Sequence, residues 1–275
     1  MVATWVQWSW RGENAKDYEL LTAPAYNPAM NGLTAEAVAP HRTRDLAAFA
    51  GTDAWIFDLD NTLYPRSTNL FTQVDGRIRA YVGKLLNVDE AEAERIQKNF
   101  YREHGTTLRG LMLNHQVDPD EFLEFVHDID HSVIQPDPAL GEAILRLPGK
   151  KYIFTNGSRR HAEKVAERLG FPKHFEDIFD IVSAELLPKP ERQTYDRFVR
   201  HFGITPKRAA MFEDLARNLV VPKAVGMRTV LVVPPGTREV FHGEWEFEGR
   251  NDDHVDYVTD DLARFVGQIA NAMGA

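Results

Sequence analysis

Ala54-Trp-Ile-Phe-Asp-Leu-Asp60 opens with four apolar residues and closes on two acids separated by a leucine. Its length and its aromatic and branched side chains predict a buried strand that ends at a polar loop. Runs of the same kind recur at Lys151-Tyr-Ile-Phe-Thr-Asn-Gly157, Asp177-Ile-Phe-Asp-Ile-Val-Ser183, Ala209-Ala-Met-Phe-Glu-Asp214 and Arg228-Thr-Val-Leu-Val-Val233, and more weakly at Val255-Asp-Tyr-Val258. Helical patterns lie between them. Ala162, Val165, Ala166 and Leu169 share one face before Gly170, and Tyr195, Phe198, Val199 and Phe202 share another before Gly203; each glycine suits a C-cap. Strands alternating with helices imply a parallel sheet covered on both faces. The expected fold class is therefore α/β, with a doubly wound, Rossmann-like parallel sheet.

Residues 67–136 break this alternation. Leu70, Val74, Ile78, Val82 and Leu85 recur at helical spacing, Ile96 and Phe100 mark a second helix ending near Gly105, and Leu108, Leu111 and Met112 mark a third. A fourth begins with Asp118 as N-cap, Pro119 at the first helical position and Glu121 completing a capping box, and it presents Phe122, Phe125, Val126 and Ile129. These residues read as a separate helical domain inserted over one edge of the sheet. The core is expected to comprise residues 51–66 and 137–275. Residues 1–50, with Pro24, Pro28, Gly32 and Pro40 and no persistent period, read as a poorly ordered N-terminal extension. Trp5, Trp8 and Trp10 admit the alternative of a partner-binding tail, and Met30 is a second candidate start.

The chain has 275 residues, of which 43% are hydrophobic and 27% charged, and a formal net charge of -9. Those are globular proportions. An acidic chain has no general attraction for phosphate backbones or anionic lipid, so neither a nucleic acid polymer nor a membrane is expected as partner. The absence of cysteine excludes disulfides, thiolate catalysis and Cys-ligated metal. The longest apolar stretches, such as Thr229-Val-Leu-Val-Val233, fall far short of the ~20 residues of a spanning helix. The first residues lack the early Lys or Arg and the continuous apolar run of a signal peptide. A cytoplasmic protein is expected.

Chemistry-bearing residues gather at the ends of the strands. Asp58 and Asp60 lie two apart, so on an extended strand both carboxylates face one side. In open α/β sheets, ligands bind outside the carboxyl ends of the strands. Two like charges this close need a cation or a shared proton, which suggests one carboxylate on Mg2+ and the other exchanging protons. Thr155-Asn156-Gly157 offers a hydroxyl and an amide, and Ser158 opens a helix whose N-terminus favours an anion. Lys189, between Pro188 and Pro190, supplies a point charge suited to phosphate. Glu213 and Asp214 add acids at the same edge, and an all-oxygen set completed by water and substrate suits Mg2+ better than zinc.

Asp58-Leu-Asp60-Asn-Thr62, Thr155-Asn-Gly157, Lys189-Pro190 and Glu213-Asp214 resemble, in order, the four motifs of the haloacid dehalogenase superfamily. The resemblance covers about residues 53 to 235, with the helical insertion where that superfamily places its type 1 cap. The longer strings Asp58-Leu-Asp-Asn-Thr-Leu-Tyr-Pro65, Thr155-Asn-Gly-Ser-Arg-Arg-His161 and Phe212-Glu-Asp-Leu-Ala-Arg-Asn218 look like its pyrimidine 5′-nucleotidase branch. Ser183-Ala-Glu185 departs from the Asp-containing segment expected of that branch.

Carried over residue by residue, the resemblance implies that Asp58 is the nucleophile and forms an aspartyl-phosphate. Asp60 protonates the leaving alkoxide and then deprotonates the hydrolytic water. Asp58, the Asp60 carbonyl and Asp214 hold Mg2+, with Glu213 acting through a water on the cation. Thr155, the backbone after Asn156 and Lys189 hold the phosphoryl oxygens, and Thr62 orients the first loop. The implied protein is a Mg2+-dependent phosphomonoesterase, a monomer or homodimer, acting on a small phosphorylated metabolite, foremost a pyrimidine nucleoside 5′-monophosphate such as UMP or CMP. Sugar, flavin or pyridoxal phosphates, a phosphomutase, and an inert phosphate-binding regulatory module are the alternatives. Asp60 argues against dehalogenation, because displacing halide from carbon needs no proton.

The remaining candidates have plainer readings. His104, His115, His127 and His131 show no repeated ligand spacing; His127 and His131, four apart on one helix, admit a metal pair as the alternative but read as two exposed histidines on one polar helix face. Asp89-Glu-Ala-Glu-Ala-Glu94 reads as a solvated helix start. Arg66, Asn69, Phe71, Arg77 and Tyr81 are candidates for facing the substrate from the cap.

Overall fold

Six strands form one parallel sheet in the order β3-β2-β1-β4-β5-β6, in a computed structural model that describes residues 45–234 and 253–274. They are β1 (Ala54–Phe57), β2 (Lys150–Phe154), β3 (Asp177–Phe179), β4 (Ala209–Glu213), β5 (Arg228–Val232) and β6 (Tyr257–Thr259). Each matches an expected run, but β1, β2 and β3 stop short of their quoted ends, at Phe57, Phe154 and Phe179. The central strand is buried on both faces. Trp55 and Phe57 join one apolar cluster with α5 (Pro138–Arg146), α6 (Arg159–Leu169) and α9 (Leu262–Ala272). Ala54 and Ile56 join the other, beneath α7 (Arg192–Phe202) and α8 (Val220–Val225). Strand alternation thus sends successive side chains into opposite layers. The helices after β2 and β3 end as the glycines predict, with Gly170 and Gly203 in the left-handed region at φ 92° and 64°.

Between β1 and β2 lie α1 (Leu70–Leu86), α2 (Glu90–His104), α3 (Thr107–His115) and α4 (Pro119–Val126). They share their own apolar cluster, including Tyr81, Val82, Ala93, Leu108, Leu111, Phe122 and Val126, and Ile181 of the core joins it. The Asp118 side chain accepts from Asp120 N at 2.9 Å and Glu121 N at 3.4 Å, with Pro119 in the first turn. Asp89 caps α2 by accepting from Glu92 N at 2.9 Å, and Glu92 and Glu94 pair with Arg95 and Lys98 on the exposed surface. That acidic run is the solvated helix start expected.

The expected extension lies outside the described residues up to residue 44. Residues 45–50 depart from it. Leu46–Phe49 form a 3-10 turn and Phe49 is fully buried, stacked against Trp55 at 6.0 Å and packed on Tyr257 at 4.9 Å. An aromatic ring with that much apolar surface is held by the core whatever the composition around it. Among the described residues, no helix is long and apolar enough to cross a membrane.

Candidate active site

The order β3-β2-β1-β4 places β1 between the strands that lead into Thr155 and Asp214, so the three polar loops meet at one sheet edge. Asp58 continues the ladder for one bond, its N donating to Phe212 O at 2.9 Å. The chain then turns, with Leu63 N donating to Leu59 O at 3.0 Å and Asn61 in the left-handed region at φ 61°. Asp58 and Asp60 therefore share a site through a turn rather than through the strand alternation expected of them. The reason is local: Leu59 is completely buried, and tucking it under the loop bends the backbone out of the sheet.

Lys189 lies at the centre. Its ammonium donates to Asp58 Oδ1 at 2.7 Å, Phe154 O at 2.8 Å and Glu213 Oε1 at 2.9 Å. Three acceptors use all three protons of the group, which is 1% exposed. Burial works against its charge, but Asp58 and Glu213 more than reverse that and hold the amine protonated. Glu213 accepts also from Asn218 Nδ2 at 2.5 Å and Leu215 N at 2.7 Å. The other Asp58 oxygen accepts from Thr62 Oγ1 at 2.8 Å, as expected of a residue orienting this loop.

Oxygens of Asp58, Glu213 and Asp214 lie within 4.8 Å of one another. Burial pushes the Asp58 carboxyl up to about 7; Lys189 opposes this, while Glu213 and Asp60 add to it. Burial with Glu213 and Asp58 also raises Asp214 well above the usual range. These acids carry more negative charge than Lys189 balances, and the set is hard oxygen only. The residues fit a small divalent cation.

Thr155 is buried, and its Oγ1 accepts from Gly157 N at 2.9 Å, leaving the hydroxyl proton to donate. Asn156 serves differently from the site amide expected of it. Its side chain clasps the Lys189 backbone, Nδ2 donating to Lys189 O at 3.2 Å and Oδ1 accepting from Lys189 N at 2.8 Å. Asp180 accepts from Arg159 N at 3.0 Å and from Ser183 N at 2.9 Å, so it ties the N-terminus of α6 to the segment that departs from the nucleotidase pattern.

Asp60 faces a set of residues that sequence reasoning left without roles. Its Oδ1 accepts from Tyr64 OH at 2.5 Å and meets His161 Nε2 at 2.9 Å. Burial alone raises this carboxyl, but His161 and Tyr64 overcome that and hold it below the usual range. His161 Nδ1 meets His131 Nε2 at 3.1 Å, and His131 Nδ1 meets Ile129 O at 3.1 Å. Burial holds His131 neutral, lowered to about 4. A carbonyl only accepts, so His131 carries its proton on Nδ1 and accepts at Nε2 from His161. His127 stacks on His161 at 4.6 Å and its Nδ1 lies 3.0 Å from Ser158 Oγ. Neither cap histidine is on an exposed helix face: α4 ends at Val126, His127 is its C-cap, and His131, 8% exposed, opens a 3-10 turn. The helix stops before both residues, so a four-residue spacing read as one helix misses their inward facing.

Of the cap candidates, Tyr81 packs between Phe122 and Phe125, and Arg77 donates to Phe125 O at 3.0 Å while lying over its ring. Both build the cap. Asn69 is a left-handed linker into α1, and Phe71 is exposed. Arg66 alone of that group acts on the acid cluster, its charge opposing the rise of Asp214. Tyr101 of α2 was not singled out. The Arg217 guanidinium lies 4.5 Å from the centre of its ring. Burial pushes its phenol up to about 12, Arg217 opposing and Asp214 and Glu213 reinforcing, which places it beside the acids. His104 and His115 flank Phe100.

Residues 52–226 match the hydrolase family described as haloacid dehalogenase-like hydrolase. The chain belongs to that family. The match spans every group of the cluster, and this haloacid dehalogenase-like hydrolase resembles two curated proteins. Phosphate metabolism protein 8 of Saccharomyces cerevisiae is 28% identical over 195 residues, 64% of this chain and 60% of that protein, so the matched region falls short of two thirds of the relative's length. Glyceraldehyde 3-phosphate phosphatase of Methanopyrus kandleri is 25% identical over 219 residues, 74% of this chain and 90% of that protein. Among solved structures, CbbY from Rhodobacter sphaeroides in complex with phosphate superposes with TM-score 0.53 at 17% identity, over 78% of this chain and 96% of the other, a likeness of fold.

Proposed function

We propose that this hydrolase is a phosphomonoesterase that uses Asp58 as nucleophile and Asp60 as acid and base, with Mg2+ as its cation. The observation that supports it most is the convergence of Asp58, Lys189, Glu213 and Asp214 on one buried cluster at the carboxyl edge of the sheet. An attacking carboxylate and a phosphate dianion repel each other, and a bound Mg2+ supplies the charge that offsets this. Asp58 Oδ2, oriented by Thr62, attacks phosphorus and forms an aspartyl-phosphate, which turns one hard displacement into two easier ones. Asp60, which His161 and Tyr64 hold ionised in the free site, takes up a proton as the anionic substrate enters, gives it to the leaving alkoxide and later takes one from the attacking water. The Thr155 hydroxyl proton is the one left to donate to a phosphoryl oxygen, while Lys189, bound to Asp58 at 2.7 Å, offsets the charge from behind the nucleophile. Asp58, the Asp60 carbonyl and Asp214 hold the cation, while Glu213, whose oxygens already accept from Lys189, Asn218 and Leu215, keeps the ammonium and the loop in place.

The substrate we favour is a pyrimidine nucleoside 5′-monophosphate, on the strength of the Asp58–Pro65, Thr155–His161 and Phe212–Asn218 strings. The Tyr101–Arg217 pair beside the acids offers a planar, cationic surface for the leaving group. The Methanopyrus relative supports a second reading, a small sugar-like phosphate.

Phosphate release from p-nitrophenyl phosphate, with and without Mg2+, tests the chemistry. Wild type is expected to need the metal, and Asp58→Asn to lose activity by on the order of 10⁴-fold or more. Metal-independent release, or an active Asp58→Asn, overturns the reading. UMP and CMP are expected to outrank AMP, GMP and glyceraldehyde 3-phosphate in kcat/KM; equal rates across the bases remove the pyrimidine assignment.

A further inference from the structure

We propose that His161 is a positioning residue for Asp60, and that His131 and Tyr64 complete the device. The inference rests on the phosphatase reading and extends it to residues that touch neither phosphate nor metal. Tyr64 and His161 converge on a single oxygen, Oδ1, at 2.5 and 2.9 Å. That oxygen is saturated and fixed from two directions, so Oδ2 is the one presented to the leaving group.

The ring that does this is itself clamped. His161 is completely buried on α6, His127 stacks on one of its faces at 4.6 Å, and His131 occupies its second nitrogen at 3.1 Å. His131 is anchored in turn on Ile129 O at 3.1 Å. The chain Ile129–His131–His161–Asp60 therefore joins the segment after α4 to the acid, across 101 residues of sequence between Asp60 and His161. A general acid must meet the leaving oxygen within hydrogen-bond reach, and a carboxyl free to rotate spends little time there. One imidazole and one phenol on the carboxyl, with two further imidazoles clamping the first, remove that freedom.

Leaving-group chemistry tests this. p-Nitrophenolate departs without a proton, whereas an alkoxide needs one. Because kcat/KM reports only steps through departure of the leaving group, it isolates the acid role of Asp60 from its later role as base. The measurement compares wild type, His161→Ala, His161→Gln and Tyr64→Phe on p-nitrophenyl phosphate and on the fastest of UMP, CMP, glycerol 3-phosphate and ribose 5-phosphate. His161→Ala is expected to lower kcat/KM on the alkyl ester by about 10²-fold, yet on p-nitrophenyl phosphate by no more than about threefold. His161→Gln, whose amide reaches the same point, is expected to recover most of the loss. Tyr64→Phe keeps the packing and is expected to show the same selective fall, so the test stands even where His161→Ala does not fold. Equal falls on both esters, or no recovery by glutamine, overturn the positioning role while the phosphatase reading stands. A wild type that turns over neither ester overturns that reading and this inference together.

Discussion

A lysine ammonium held 1% exposed against two carboxylates and a carbonyl depends on all three acceptors, because no water replaces any of them. Removing one partner of a buried ion pair leaves an uncompensated charge and costs about 3–5 kcal/mol. Lys189→Met is therefore expected to destabilise the protein by about that much, read as a shift of the urea midpoint, besides abolishing turnover. An unchanged midpoint would show that Asp58 and Glu213 find other partners. Lys189→Arg is expected to be inactive as well, since a planar fork does not match three acceptors around a point charge. At this scale Asp58, Lys189, Glu213 and Asp214 were legible in the sequence, because the acids follow apolar runs at strand ends and the lysine stands between two prolines. Tyr64 and His161 stood inside quoted strings without a role. Tyr101 and His131 reach the site from helices and turns whose facing no local pattern states.

The cap helices show how closely elements approach. Gly110 of α3 sits against Phe100 of α2, and a Cβ placed there would lie 2.4 Å from the Phe100 Cγ and 2.5 Å from its Cβ. Those are atoms near the backbone and cannot swing away. Gly110→Ala is thus expected to destabilise by about 1–3 kcal/mol despite the better helix propensity of alanine. Thermal melts would check it, and an increase in Tm would contradict the packing. Removing the α4 cap with Asp118→Ala is expected to cost about 1 kcal/mol, since it orphans the amides of Asp120 and Glu121. A smaller loss than a few tenths would mean that water serves those amides as well. Helix boundaries here were readable from Asp118-Pro119 and Gly105, whose chemistry acts within one turn. The end of α4 at Val126 was not, and with it went the facing of His127 and His131.

Across the whole molecule, the acids at the sheet edge link stability to pH and to metal. The folded Asp58 carboxyl sits at about 7 against an ordinary 3.8, and Asp214 is raised as well. Between about pH 4 and pH 7 the folded protein keeps a proton on Asp58 that the unfolded chain has released. This contribution to stability is present at low pH and is lost as pH rises through about 7. A cation on the same oxygens competes with those protons and offsets the repulsion they relieve. Mg2+ is therefore expected to raise Tm more at pH 8 than at pH 5.5, measured by differential scanning fluorimetry over a magnesium series. An equal rise at both values would place the cation elsewhere. The layered α/β architecture and the insertion after β1 were written in the alternation of apolar runs, since burial on both faces of a parallel sheet demands continuous apolar strands. The sequence also carried the residues of the phosphate edge, because Asp58, Thr155 and Asp214 each follow directly on a strand's end and Lys189 is marked by its two flanking prolines. Which imidazole meets Asp60, and which cap tyrosine feels the charge of the acids, came from folding alone. The Asp60–His161 contact joins residues 101 apart, and such distances depend on how whole helices pack rather than on any spacing along the chain.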